Sequence, residues 1–323
     1  MISNSLLNSL LKFFVLFFGI ILMLLLIFRT PDVSVDSLKR QYTDSNSHFM
    51  SVDGLEVHYK DEGSGTPIIL LHGTSASLHT WDGWTKELTI NNYRVIRMDL
   101  PAFGITGANK DNLYDLPSYS KFLTDFVNQL ELDKFILAGN SLGGSISWHY
   151  TSSNPEKVQK LILLDPAGFP SKKERPLVFE LAEIPILNQI LKHITPKSLI
   201  KDNLEQVYFD DSKVTENLVD RYHQMILRKG SRAAFIERAK LEGQDYTELL
   251  YTIKSPTLII WGEDDLWIPV EDGFKFKERM ANSNLVIMKE TGHVPMEEKP
   301  LESLALALNF LNLEIENENF LKE

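Results

Sequence analysis

A serine, an aspartate and a histidine, widely separated along the chain, stand where a hydroxyl could be turned into a nucleophile. The serine lies in Gly139-Asn140-Ser141-Leu142-Gly143, directly after the strand-like run Phe135–Ala138 and directly before the helix-like run Leu142–Ser153. A chain that turns sharply from strand into helix needs small residues around the exposed serine, because side chains at 139 and 143 would strike neighbouring backbone; Gly144 adds further room. A serine hydroxyl is a weak nucleophile at neutral pH, so it needs a base within hydrogen-bond reach and a third group to hold that base in the right tautomer. Of the eight histidines, His293 fits the base: it sits in Thr291-Gly292-His293-Val294-Pro295, just past the last strand-like run, Leu285–Met288. His48, His58, His79, His149, His193 and His223 fall inside strand, helix or helical-insert patterns without companion residues and read as structural. The orienting acid is expected in Trp261-Gly262-Glu263-Asp264-Asp265, after the run Thr257–Trp261. Asp265 is favoured over Asp264, which reads as a cap or a solvated residue, and Asp165 is the outside candidate.

Acyl transfer also needs two N–H donors for the oxygen that becomes negative in the tetrahedral intermediate. One is expected to be the amide of Leu142, at the start of the helix after the serine, and the other that of Thr74, in the loop His72-Gly73-Thr74-Ser75. His72 reads as a residue that holds that turn by hydrogen bonding. Neither a metal nor an organic cofactor is required by this chemistry.

The elements that must position these groups follow an α/β rhythm. Short β-rich runs recur at Glu56–Lys60, Ile68–Leu71, Val95–Asp99, Phe135–Ala138, Leu161–Asp165, Thr257–Trp261 and Leu285–Met288. Several are apolar throughout, as strands buried on both faces are, and Ser118–Leu130 and Leu142–Ser153 supply the helical crossovers that parallel strands require. Between 168 and 250 no comparable strand appears. Prolines 170, 176, 185 and 196 punctuate short helical patterns such as Leu177–Ile184 and Asn217–Arg228, so this stretch reads as an inserted helical cap. The organisation is thus a flank at 1–9, the segment 10–28, a polar linker at 29–47, a core in two parts (48–167 and 251–315) around the cap at 168–250, and an acidic tail at 316–323.

Segment 10–28 reads LLKFFVLFFGIILMLLLIF, with Lys12 its single charge. About 20 apolar residues match a hydrocarbon core of about 30 Å, whereas a secretory apolar region is about 7–15 residues, and no small-residue cleavage site follows. The expectation is an uncleaved transmembrane anchor, making the protein single-pass in a bacterial inner membrane with the lipid bilayer as a partner. Flanking charges are nearly balanced, so the positive-inside rule does not set sidedness; an extracytoplasmic domain is the weaker expectation.

Composition removes other classes. The 323 residues carry 33 Lys and Arg against 44 Asp and Glu, a formal charge of −11, the wrong sign for a protein that neutralises nucleic-acid phosphates. With no cysteine, disulfides, thiolate metal sites and a cysteine nucleophile are excluded.

Taken together, these motifs resemble the α/β-hydrolase superfamily, and within it the cap-bearing bacterial members related to lipases, esterases and meta-cleavage-product hydrolases. The likeness spans roughly 48 to 313 and rests on five pieces in order: Leu71-His72-Gly73 with Trp81 beyond it, Asp99-Leu100-Pro101-Ala102-Phe103-Gly104, the Ser141 turn, the Asp265 loop and Gly292-His293-Val294-Pro295. The family often has glycine where Ala102 stands. The resemblance implies a mostly parallel sheet flanked by helices, a triad of Ser141, Asp265 and His293, and oxyanion donors at Thr74 and Leu142. The serine argues against the related epoxide hydrolases and haloalkane dehalogenases, which use an aspartate nucleophile. The functional expectation is a membrane-anchored serine hydrolase cleaving lipophilic carboxylic esters, a small-molecule ester being its substrate. The alternative is a carbon–carbon bond hydrolase of meta-cleavage-type diketones, since the elbow with Asn140 also looks like theirs. A noncatalytic binding protein that kept the fold is a third reading, which an intact triad disfavours.

Overall fold

Eight strands form one sheet in the order β1-β2-β4-β3-β5-β6-β7-β8. The computed structural model describes residues 4–170, 176–241 and 244–320, with side chains not described for 313–320 and for part of the first helix. In chain order the elements are α1 (Asn4–Ile27), α2 (Val35–Tyr42), β1 (Ser47–Val52), β2 (Leu55–Gly63), β3 (Thr66–Leu71), α3 (Asp82–Ile90), β4 (Tyr93–Met98), α4 (Leu116–Gln129), β5 (Phe135–Asn140), α5 (Leu142–Ser153) and β6 (Val158–Leu164). They continue with α6 (Leu177–Glu183), α7 (Pro185–Leu191), α8 (Lys197–Val207), α9 (Glu216–Ile226), α10 (Ser231–Ala239), β7 (Thr257–Gly262), α11 (Glu271–Arg279), β8 (Ser283–Met288), α12 (Pro295–Glu298) and α13 (Pro300–Phe320). β1 and β2 pair antiparallel, as do β2 and β4; every other pairing is parallel.

The apolar runs read from sequence are the buried parallel strands. In β3, Ile69 and Leu71 join one apolar layer while Ile68 and Leu70 join the other, as side chains alternating across a pleated strand must. All four are fully buried, so β3 has no solvent face and no polar alternation. Because β3 to β8 run parallel, their carboxyl ends lie along one edge, and the loops leaving β3, β5, β6, β7 and β8 collect there. The cap helices α6 to α10 are inserted between β6 and β7. Arg228, just beyond α9, ties the cap to the core by donating from Nε to Ile105 O (2.7 Å) and from Nη2 to Thr106 O (2.8 Å).

Two expectations for the N-terminal region change. Segment 10–28 lies almost wholly within α1, yet among the described residues no helix is long and apolar enough to cross a membrane. The transmembrane anchor, the lipid bilayer as partner and the single-pass inner-membrane location with an extracytoplasmic domain are therefore not supported. The second change concerns 29–47, read as a polar linker, which instead crosses the cap as a structured strap. Thr30 N donates to His193 O, Val33 N to Leu227 O and Lys229 N to Val33 O, while Asp32 pairs with Arg232 at 2.6 Å. Ser34 caps α2, and Leu38 is buried against Ile105 and Met225. At the other end, α13 runs through Phe320; the acidic tail expected at 316–323 falls where side chains, and from 321 the backbone, lie outside the described residues.

Candidate active site

Ser141 sits between β5 and α5 with φ +52° and ψ −115°, a left-handed conformation that a side-chain-bearing residue adopts only when its surroundings hold it there. The surroundings do so through backbone bonds: Ser141 N donates to Leu164 O, while Ser141 O accepts from the amides of Ser145 and Ala167. A Cβ at 139 would collide with the carbonyl of Gly143, and one at 143 with the carbonyl of Leu71. This packing is the physical content of the glycines flanking the serine.

On the neighbouring strand ends, His293 Nδ1 lies 2.6 Å from Asp265 Oδ2. Asp265 Oδ1 accepts from the amides of Trp267 (2.8 Å) and Ile268 (2.9 Å), so this buried carboxyl meets three donors. That arrangement suits a carboxylate and places the imidazole proton on Nδ1. His293 Nε2 is then left with its lone pair, and it is buried without a hydrogen-bond partner. Ser141 and His293 line one pocket, together with Thr74 from the loop after β3. No hydrogen bond joins Ser141 to His293 in this structure; the catalytic contact in such sites commonly tightens only when substrate is bound. Leu142 is the first residue of α5, where a helix leaves its amide without an intrahelical acceptor. Ser141, His293 and Thr74 thus share a cavity, with Asp265 behind the histidine and Leu142 opening the adjacent helix. Asp264 N donates to Thr291 O, and Asp264 has no bond to His293.

His72 is neutral by its bonding: Nδ1 donates to Gly73 O (2.7 Å) while Nε2 accepts from the Leu100 amide (3.0 Å). Burial pushes its pKa down, so the ring braces the turn that carries Thr74. Asp99 braces the same region. Its burial opposes ionisation, but His58 and the amides of Leu78 and Ile105 outweigh that cost and hold the carboxyl well below the usual range.

Sequence reasoning missed three supports. Asn140 Nδ2 donates to both Leu164 O (3.1 Å) and His293 O (2.9 Å), tying the serine turn to the histidine loop. Glu298, almost fully buried, accepts from the amides of Gly292, Phe209 and Asp210, joining that loop to the cap. The Trp267 ring lies tilted against that of His293, 5.8 Å between centroids, and lines the pocket. Each depends on a partner far along the chain, and only the aromatic at 267, inside the Asp265 motif, carried any local signal.

The pocket is apolar over most of its lining, with contributions from Phe179, Leu204, Ile226 and Phe235 of the cap. Arg232, only 7% exposed, is a charged exception in its wall. A parallel sheet with its polar constellation gathered at the strand ends, roofed by inserted helices, defines the class of α/β-fold hydrolases. The chain belongs to the alpha/beta hydrolase fold family, whose pattern it matches over residues 66–300.

Among curated proteins it is 30% identical to a 2-hydroxy-6-oxononadienedioate/2-hydroxy-6-oxononatrienedioate hydrolase of Escherichia coli over 289 residues, 85% of this chain and 99% of that one. Among solved structures it resembles a serine hydrolase involved in carbazole degradation (25% identity, TM-score 0.71, 83% of this chain and 98% of that one). It also resembles a lipase (lip1) from Acinetobacter baumannii (26% identity, TM-score 0.73, 90% and 99%). These relations make the chain an α/β-hydrolase-fold enzyme with a hydrolase's chemistry. They correct the expectation of a membrane-anchored enzyme for lipophilic esters on both counts. Among the described residues no helix is long and apolar enough to cross a membrane, and the name of the curated relative's substrate contains no ester.

Proposed function

We propose that this enzyme hydrolyses a carbon–carbon bond in acidic vinylogous diketones of the meta-cleavage type. Ser141 acts as nucleophile, His293 as base and then acid, Asp265 as the group that orients and charges the imidazole, and the amides of Thr74 and Leu142 as oxyanion donors. The Escherichia coli relative's substrate, by its name a hydroxy-oxo-dienedioate, has no ester or amide, so water can enter only by breaking a carbon–carbon bond.

The chemistry follows from the groups at hand. The 2-hydroxy dienoate first moves its enol proton to the carbon beside the 6-ketone, which creates the second carbonyl; Ser141 Oγ then adds to the 6-ketone carbon as His293 Nε2 takes its proton, and that oxygen becomes an alkoxide facing the two amides. Collapse expels a carbon leaving group, which is tolerable only because conjugation spreads the electron pair onto the distant second carbonyl as a dienolate. His293 returns the proton to that fragment, and water then releases the acid from Ser141.

The observation that carries this choice of substrate is Arg232. A buried guanidinium in the wall of an otherwise apolar pocket suits a carboxylate and has no counterpart need in a lipid ester. Its Nη2 is held by Asp32 and Thr30 O, whereas Nη1 has only a 3.5 Å contact with Thr195 Oγ1, leaving donor capacity. The test compares kcat/KM for a 2-hydroxy-6-oxo dienoate with that for p-nitrophenyl esters from acetate to palmitate. The diketone is expected to be preferred, and Ser141→Ala to lower its turnover at least about 10³-fold. Turnover of esters with the diketone untouched would overturn the reading.

A further inference from the structure

We infer that Asp165 is a second carboxyl of the relay behind His293, a positioning residue that holds a proton and shares a single negative charge with Asp265. This rests on the triad reading above. Asp165 follows β6, is fully buried and has φ +43°, a strained conformation fixed by the bond from its amide to Ile260 O. One ligand-type atom each from Asp165, Asp265 and His293 lies within 4.8 Å of the others. A metal would have to displace existing bonds here, since Asp265 Oδ2 already meets His293 Nδ1 and its Oδ1 meets two amides.

Two buried carboxyls this close are not both ionised near neutrality, so the question is which keeps the proton. Counting donors decides it. Asp265 receives three hydrogen bonds, two from amides and one from the imidazole, and is the better anion. Asp165 receives one, from Gly262 N to Oδ1 (2.8 Å), while its Oδ2 is buried with no donor and its carboxyl lies against that of Asp265. A bare oxygen beside a carboxylate is where a proton belongs. The titratable groups facing Asp165 are Asp265 on the loop after β7, His293 on the loop after β8 and Glu298 on α12; both acids oppose its ionisation. Burial first, and the Asp265 charge second, push its pKa well above the ordinary carboxyl value.

The consequence is a reserve of charge. With Asp265 changed to Asn, the main repelling charge is gone, Asp165 ionises more readily, and it becomes the carboxylate backing His293. The test follows the rate at which a fluorophosphonate labels Ser141, which requires an activated serine but no knowledge of the substrate. Asp265→Asn should label about 10²-fold slower than wild type at pH 7 and recover as pH rises. At pH 9 it should label at least about tenfold faster than the double variant Asp165→Asn/Asp265→Asn, a non-additivity expected only of groups acting as a unit.

Equal rates for single and double variants at every pH, with wild type labelled and Ser141→Ala not, would overturn the inference while leaving the triad standing. Failure of wild type to label at all would remove the triad reading and this inference with it. Should the double variant not fold, Asp165→Asn alone decides. A carboxyl that keeps its proton in the folded chain after the unfolded chain has released it makes stability fall as pH rises through that interval. Asp165→Asn should therefore be more stable than wild type at neutral and alkaline pH, and identical pH dependences would refute the protonated acid.

Discussion

Ser141 and Ala102 both sit in left-handed backbone, for different reasons. At Ser141 the conformation, φ +52°, projects the hydroxyl from a turn whose neighbours leave no room for side chains, so the strain accompanies function. Ala102, at φ +85° and fully buried, lies in the loop after β4, where its amide donates to Gly107 O. A Cβ in that region costs about 1–2 kcal/mol, whereas glycine's extra freedom in the unfolded chain costs about 0.4–1 kcal/mol. The strain outweighs the entropy. Ala102→Gly is expected to raise stability by about 0.5–1 kcal/mol in a urea titration, and a loss of stability would show that packing of the methyl matters more than the backbone. The departure at 102 was visible in sequence; its sign required the dihedral. The same division holds across the site. Ser141, Asp265 and His293 could be read because each carries its own local markers of Gly and Pro, fixed by turn geometry. Asn140 and Glu298 could not, because the bonds that make them matter reach residues 153 and 89 positions away.

Among the elements, β3, β5, β6 and β7 were legible because burial at nearly every position leaves a short apolar run bounded by turn residues. β1 was not singled out as a strand, because it is a partly exposed edge strand holding only one fully buried residue, Val52. The strap at 29–47 was read as a linker for a related reason: it is polar, and its order comes from partners far along the chain, through backbone bonds to the cap, the Asp32–Arg232 pair and the burial of Leu38. Leu38 is the apolar centre of a small cluster with Ile105 of the core and Met225 of α9, so it joins three parts of the molecule. Leu38→Ala should cost about 2–3 kcal/mol, at the low end of core truncations because the cluster is small and peripheral. The loss should appear first as faster amide exchange in α9 and along 30–33, ahead of the β3 to β7 strands. Uniform acceleration across the sheet would mean instead that the strap and core unfold as one unit.

At the scale of the whole molecule, the formal charge of −11 acts against the kind of substrate that Arg232 favours. A dicarboxylate approaching the pocket meets a repulsive field from the protein as a whole and an attraction only at close range, from the N–H groups that Arg232 keeps beyond its pairing with Asp32. Salt separates the two. Raising ionic strength from about 10 to 150 mM shortens the screening length from about 30 to 8 Å, which weakens the distant repulsion far more than the local attraction. By Coulomb's law in water, the relief for a dianion is about 1 kcal/mol, so kcat/KM for a dicarboxylate diketone should rise about three- to tenfold over that range. An uncharged substrate should show no such trend. A fall in kcat/KM with salt would mean that the field at the pocket mouth is positive despite the net charge, and that residues beyond Arg232 help to draw the substrate in.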